Sequence, residues 1–281
     1  MPSQLTVLGS CGAWPEPGLA CAGFLLEHEG FRLALDLGYG TLPRLLAELG
    51  SLAADGLDAV IVTHHHPDHM VDLHGLMRAR WFGHRKPAAI PLFAPAGVVA
   101  RLVDLEDGRR TVVSKVFDWH PIPAPPQHVG PFRLASMEVP HYVPSAGVRL
   151  SAARLTVSYT GDTGRAAALA ELARDADLLI ADATYQAAQV GDTCTGDPGT
   201  TATGSGTGGT AEASLPPGIS PPLLNLTALD AGRVAAAARA SRLLLTHFWP
   251  GSDREASRKE AAGAFGGQIL LATEGTSVPI G

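Results

Sequence analysis

The chain has 281 residues, of which 46% are hydrophobic and 17% charged, and a formal net charge of −6. That length and balance fit a globular chain with a substantial core, not a disordered one; the acidic sum argues against unaided gripping of a nucleic-acid backbone, and no run approaches the length of a membrane span. Cys11, Cys21 and Cys194 have no C-x-x-C spacing, and the first residues lack a signal-type apolar stretch, so no disulfide framework or thiolate zinc site is expected and the cytoplasm is the expected location.

Apolar runs at 4–9, 23–27 and 31–37, separated by glycine, proline and charged residues, predict three strands of a meander. Leu42, Leu45, Leu46 and Leu49 recur at helical spacing before a stop at Gly50, which predicts a helix laid with one face on that sheet. The β-branched stretch 57–63 predicts a short buried strand that delivers its last residues to a loop. A second helix is expected over 71–82 and a strand over 90–94, while the proline-rich 118–130 reads as an irregular crossing. Strands follow at 132–139 and 155–160, a helix at 165–174 and a strand at 178–183. An Ala-rich helix at 228–240 then precedes a strand at 243–246 that runs into His247.

Two of these endings echo each other. Val60-Ile61-Val62-Thr63-His64 and Leu243-Leu244-Leu245-Thr246-His247 are both apolar strands closing on Thr-His, as two halves of one βα plan facing a shared cleft would be. The stretch 186–222 is different in kind, dominated by Gly, Thr, Ser, Ala and Pro, and predicts a mobile surface insertion. Its Gly204-Ser205-Gly206-Thr207-Gly208-Gly209 run satisfies G-x-G-x-x-G, but no strand leads into it and no helix opens from it, so composition explains it better than dinucleotide binding.

The chemistry concentrates in His64, His66, Asp68 and His69, within Val62-Thr63-His64-His65-His66-Pro67-Asp68-His69. Alternation along a strand lets His64 and His66 share a face, and Asp68 and His69, placed where the loop turns, can address a second nearby point. A shuffled chain of this composition would carry H-x-H-x-D-H only about once in a thousand. Three further polar residues each follow an apolar run: His141 after 132–139, Asp162 in Thr160-Gly161-Asp162-Thr163-Gly164, and His247. A lone histidine is more often structural than a ligand, so it is their shared position at strand ends that groups them. Two metals need about six to eight protein ligands with one bridging group, and a carboxylate such as Asp162 has the two oxygens for it.

The order and spacing resemble the metallo-β-lactamase superfamily, in its phosphodiesterase branch with ribonuclease Z and cyclic-nucleotide phosphodiesterases. The matching motifs run from Thr6-Val7-Leu8-Gly9 through Leu35-Asp36-Leu37-Gly38, 63–76, His141, 159–164 and 179–185 to 245–248, nearly the whole chain outside the insertion. The resemblance implies an α/β fold, a four-layer αββα sandwich forming one domain over 1–281. It assigns His64, His66 and His141 to one zinc, Asp68, His69 and His247 to the other, and Asp162 to both; Mn2+ or Fe are alternative metals. It also makes Asp36 an orienting partner of a ligand and His65 a spectator; beside its ligand role, Asp68 is a candidate catalytic residue that accepts a hydrogen bond from the attacking water.

Two departures from the branch matter. Ribonuclease Z has a histidine in an H-x-T run where this chain has Asn225-Leu226-Thr227, and an amide cannot shuttle a proton, so the acid role must go to water, to Asp68 or to nothing. Only twenty residues separate His141 from Asp162, with no room for the tRNA-gripping arm found there in many ribonucleases Z. The expected reaction is therefore hydrolysis of a small or cyclic nucleotide phosphodiester by a water shared between two metals. Alternatives are a lactone, thioester or β-lactam hydrolase on the same fold, an RNA-processing endonuclease, an iron oxidoreductase and a metal-binding member without turnover. The expected partner is a small phosphodiester; no membrane is expected, long nucleic acid is disfavoured, and a homodimer stays open. The basic segment 78–86 leaves two readings, with Arg78 and Arg80 holding a substrate phosphate beside Asn225 and Trp81 or Phe82 stacking on a base, or a solvated helix end with its aromatics turned inward.

Overall fold

The computed structural model describes residues 3–83, 88–187 and 224–280. The first half forms strands β1 (Ser3–Gly9), β2 (Gly23–His28), β3 (Phe31–Leu37), β4 (Ala59–Ile61), β5 (Ile90–Ala94) and β6 (Phe117–Pro121). Strands β7 (Gln127–Val129), β8 (Phe132–Val139), β9 (Ser145–Ala152), β10 (Leu155–Tyr159), β11 (Leu178–Asp182), β12 (Arg242–Thr246) and β13 (Gln268–Leu271) make a second sheet, and β14 (Ser277–Ile280) returns to pair with β1. The sheet orders are β14-β1-β2-β3-β4-β5-β6 and β13-β12-β11-β10-β9-β8-β7. Both change from antiparallel pairing to parallel pairing partway across, β3 to β6 in one and β10 to β13 in the other. The two Thr-His endings leave parallel strands in opposite sheets, β4 second in the run β3 to β6 and β12 third in the run β10 to β13.

The strands read as continuous apolar runs because both of their faces are covered. Leu5, Val7, Phe24, Leu26, Leu33, Leu35 and Ile61 point between the sheets, where they meet Phe132, Leu134, Val148, Leu150, Val157, Ile180 and Leu244. Their alternates Leu8, Leu25, Ala34, Val60 and Val62 pack outward. That outer face is covered by α1 (Thr41–Leu49), α2 (Pro67–Phe82), α3 (Ala96–Leu105) and α4 (Arg110–Val116). The short α5 (Ala168–Leu172) lies beside the second sheet, whose outer face is covered by α6 (Ala228–Ala238) and α7 (Arg254–Ala262). The result is the αββα order of layers, in which each fully buried Leu or Phe contributes about 1.5–3 kcal/mol. The leucine helix ends as expected at Gly50, left-handed at φ 61°, a conformation glycine adopts without a Cβ clash.

Some sequence expectations need correction. The stretch 118–130 is not wholly irregular: it contains most of β6 and all of β7. Both are edge strands, with Pro121 at the last position of β6, and edges are where a sheet tolerates a residue that cannot donate. Asp68 and His69 do not lie in a loop but in the first turn of α2, which opens at Pro67. Proline at the first helical position has no donor to lose and is already bent for the helix. The helix expected over 165–174 contracts to α5. Nearly all of 186–222, with the glycine motif at 204–209, lies outside the described residues. Among those described, no helix is long and apolar enough to cross a membrane.

Candidate metal centre

Each half of the H-x-H-x-D-H run leaves a different element. His64 stands three residues past the end of β4, His66 is the N-cap of α2, and Asp68 and His69 occupy its first turn. His141 follows β8 by two residues, Asp162 follows β10 by three, and His247 comes directly after β12. Strand ends in two facing sheets thus bring seven side chains to one edge. They fall into two clusters sharing a carboxylate, His64, His66, His141 and Asp162 on one side and Asp68, His69, Asp162 and His247 on the other.

The separations fit metal chelation. His66 Nδ1 lies 3.0 Å from His64 Nε2 and 3.1 Å from His141 Nε2. For nitrogens held about 2.05 Å from a tetrahedral zinc, neighbouring donors sit about 3.3 Å apart. In the second cluster His247 Nε2 is 3.2 Å from Asp68 Oδ2 and 3.1 Å from Asp162 Oδ2, and His69 Nε2 is 3.1 Å from Asp162 Oδ1. His69 Nε2 and Asp162 Oδ1 are buried and have no hydrogen-bond partner. Leaving two such atoms unsatisfied in a native interior is costly, and a cation between them would resolve it.

The protein fixes which nitrogen each imidazole presents. His69 Nδ1 donates to Asp36 Oδ2 at 2.8 Å, His141 Nδ1 to the Leu224 carbonyl at 2.9 Å, and His247 Nδ1 to Thr184 Oγ1 at 2.8 Å. His64 Nδ1 donates to Thr63 Oγ1 at 3.0 Å, and that hydroxyl passes its own proton to Asp36 at 2.9 Å. In all four rings the Nε2 lone pair is left for the cluster. Asp36 also accepts from the Thr63 backbone N–H at 2.7 Å and from Tyr159 Oη at 2.8 Å. Four donors meeting one fully buried carboxylate, on a residue held left-handed at φ 54°, make Asp36 the joint between β3, the histidine run and β10.

Electrostatics push four of the donors, His64, His66, Asp68 and Asp162, toward the forms a metal takes up. Burial drives His64 well below the usual histidine range and brings His66 down to about 4, so both stand neutral. Burial opposes ionisation of Asp68, but His69 and His247 outweigh it and hold the carboxyl at about 2. The Asp162 carboxyl, equally opposed by burial, is held well below its usual range by His247 and His69. Burial would lower His69 and His247 in turn, yet the facing Asp162 raises both. Protons on those two rings and a divalent cation would compete for the same lone pairs.

Close backbone approach completes the second cluster. The Ala13 N–H donates to Asp68 Oδ2 at 2.7 Å. A Cβ at Gly12 would sit 2.6 Å from the His247 ring, and one at Gly38 would sit 1.8 Å from the Asp68 carbonyl oxygen. Only glycine lets those turns lie against the ligands. His247 is itself left-handed, at φ 59°, and a non-glycine residue held there marks a locally strained site.

Sequence reasoning missed Asp182 and Thr184. Asp182, fully buried at the end of β11, accepts from the Thr184 hydroxyl at 2.6 Å, and that hydroxyl in turn accepts from His247. The signal was present, since Asp182 is a carboxylate closing an apolar run as Asp162 does. Asn225 donates to Asp182 Oδ2 at 2.9 Å and to Thr184 Oγ1 at 3.1 Å, so it braces His247 indirectly, while Thr227 caps α6 by accepting from the Asp230 N–H.

The two arginines expected at substrate are turned elsewhere. Arg80 is buried and donates to the carbonyls of Ala54 and Ala88. Arg78 pairs with Glu106 at 2.6 Å. Arg78 lies ten residues beyond Asp68 on α2, about 15 Å along the axis at 1.5 Å per residue. Trp81 packs partly against the core and Phe82 is exposed at the far end of the helix; His84, Arg85 and Lys86 lie outside the described residues. His65 points away from the cluster, toward Gly97.

Replacing Asp36 with alanine would leave the Thr63 N–H, the Tyr159 hydroxyl and His69 Nδ1 without their acceptor. The expected cost is at least about 3 kcal/mol of stability, at roughly 1–3 kcal/mol per orphaned buried group, with metal affinity lowered about 10- to 100-fold. Denaturant melts and metal titration check both; an unchanged melt would remove Asp36 from this bracing role.

The family described as a beta-lactamase superfamily domain matches residues 37–248. The Probable metallo-hydrolase YhfI of Bacillus subtilis is 27% identical over 275 residues, 97% of this chain and 98% of that protein. The crystal structure of YhfI matches with a TM-score of 0.77 at 26% identity over 99% of both chains. Ribonuclease Z of Mycolicibacterium paratuberculosis is 31% identical over 195 residues, 63% of this chain and 69% of its own length. The structure of the short form of human tRNase Z, at 22% identity, covers 99% of both chains with a TM-score of 0.71.

Proposed function

The chain belongs to the beta-lactamase superfamily and is a metal-dependent hydrolase, and from that premise we propose that it is a dinuclear-metal phosphodiesterase acting on small or cyclic nucleotides. The observation that carries this reading is the placement of Asp162. Its Oδ1 lies 3.1 Å from His69 Nε2, and its Oδ2 lies 3.1 Å from His247, 3.8 Å from His141 and 4.0 Å from His64. One carboxylate thereby serves both clusters. His64, His66, His141 and Asp162 would hold one cation, and Asp68, His69, Asp162 and His247 the other, zinc suiting this nitrogen and oxygen donor set. Bound there, the cations supply an acidified water as nucleophile and offset charge on the phosphate oxygens.

The chain's own residues supply position and proton handling. Asp68, ionised and pinned by the Ala13 N–H, can accept a hydrogen bond from the attacking water and aim its lone pair at phosphorus. Asn225, its amide committed to Asp182 and Thr184, leaves protonation of the departing oxygen to solvent. Support for a phosphodiester over a lactone comes from the ribonuclease Z relative, whose name denotes cleavage of that bond.

A metal count and a substrate screen on one preparation test the reading. About two divalent ions per chain are expected, with hydrolysis of cyclic AMP or bis-p-nitrophenyl phosphate and little of an acyl lactone. Turnover of the lactone alone would replace this reading with its alternative.

A further inference from the structure

Exposed aromatic side chains gather where the second cluster is built. Trp14 is 48% exposed and Trp249 is 37% exposed. Their rings meet edge to face, with centroids 5.1 Å apart and planes at 81°, and Tyr185 lies near Trp249 with centroids 6.1 Å apart and planes at 26°. Indoles left this open do not serve the core, and a group of them marks a surface that something else covers.

The backbone contacts that fix the metal ligands also fix this group. Trp14 follows Ala13, whose N–H binds Asp68, and Gly12, which lies against the His247 ring. Trp249 is two residues past His247, and the Gly12 N–H donates to the Phe248 carbonyl between them at 2.8 Å. Tyr185 follows Thr184, the acceptor for His247 Nδ1. On the side of the first cluster, Tyr142 rests against the His141 ring at 5.2 Å. The first cluster includes His66, which is only partly buried, whereas all four residues of the second are buried.

A cation beside this group, Arg254, is already engaged. Arg254 stacks over Phe248 at 4.8 Å and donates to Ser10 and the Ala272 carbonyl. What the aromatic group offers a ligand is therefore a π-face, which suits a flat, weakly polar ring better than an anion.

We propose that Trp14, Trp249 and Tyr185 form a stacking wall beside the metal centre that holds the planar base of a nucleotide substrate, making base stacking a determinant of specificity. This rests on the phosphodiesterase reading. It gives the stacking role to residues on the loops after β1, β11 and β12, in place of Trp81 and Phe82 on α2.

The test compares adenosine 5′-monophosphate with ribose 5-phosphate by calorimetric titration of the metal-loaded protein, the two ligands sharing sugar and phosphate and differing in the base. The nucleotide is expected to bind about tenfold or more tightly, in the range that stacking one base supplies. In Trp14→Leu/Trp249→Leu the two affinities should converge, that for ribose 5-phosphate staying unchanged, whereas Trp249→Phe should keep most of the preference. Both indoles are exposed, and a thermal melt verifies the fold of each variant. Equal binding of the two ligands to the unaltered protein, no binding of either, or a preference that survives the double substitution would overturn the wall. Phosphodiester hydrolysis without base preference would remove the wall alone. Base preference without hydrolysis would remove the catalytic reading and leave the wall standing.

Discussion

Alanine at position 162 is expected to reduce turnover by more than about a thousandfold, because one substitution takes a ligand from each cluster and with it the fixed charge that positions both. The protein should remain folded. The hydrogen bond from Ser145 Oγ goes to the Asp162 main-chain carbonyl, and the carboxylate itself faces only imidazoles. Without Asp162, His69 and His247 lose the largest of the groups that raise them but keep Asp68, with Asp36 also facing His69 and Asp182 also facing His247, so a loss of about 1–3 kcal/mol is expected. Asp36→Ala should differ in kind, because it removes a joint as well as a ligand orientation. Bound metal per chain, turnover on a phosphodiester and a melting curve, measured on both variants, separate the two. An Asp162→Ala protein that keeps its metal and most of its activity would dismantle the shared-carboxylate arrangement.

The second large effect is that of stripping divalent metal. Asp68 and Asp162 lie close enough that each resists the other's ionisation, and both are buried. A cation between them relieves that repulsion only in the folded chain, since the unfolded chain does not assemble the cluster. A ligand held at 100 to 1,000 times its Kd stabilises by about 2.7–4.1 kcal/mol. At about 2–4 °C per kcal/mol for a chain approaching this size, the chelated protein should melt roughly 5–16 °C lower. Activity should vanish with the metal and return when zinc or manganese is restored. Asp162→Ala should lose most of the chelation-dependent shift. A melting temperature indifferent to chelator would mean that these side chains hold no ion of consequence.

Much of this was legible in one dimension. Continuous apolar runs between breakers located β1 to β5, and leucines at helical spacing located α1 with its glycine stop. The H-x-H-x-D-H pattern singled out His64, His66, Asp68 and His69, and polar residues closing apolar runs added His141, Asp162 and His247, the seven side chains that the fold brings to one edge. Legibility failed where the determinant was not local. Asp182 carries the same strand-end signal as Asp162, and nothing in the chain tells that one carboxylate faces the cluster while the other, 20 residues on, supports it through Thr184. Arg78 and Arg80 follow the histidine run closely in sequence, but a straight helix carries them away from it. Strands β6 and β7 escaped notice because Pro121 and the prolines between them mimic a loop, and a sheet edge is where such a stretch can still pair.

What the amino-acid order determined alone is the central strands that lead to the site and the polar residues standing at their ends, since breaker-bounded apolar runs and repeats of about 3.6 positions are local; β9, β13, β14, α3, α4 and α7 lie outside that set. The tertiary structure decided which nitrogen each histidine presents, the left-handed turns at Asp36 and His247, and the meeting of Trp14 with Trp249. Those features depend on groups far apart in the chain, Asp68 and His247 being 179 residues apart. Contacts at such separations are set by how two sheets pack and by which buried donors must find acceptors, conditions that no local pattern records.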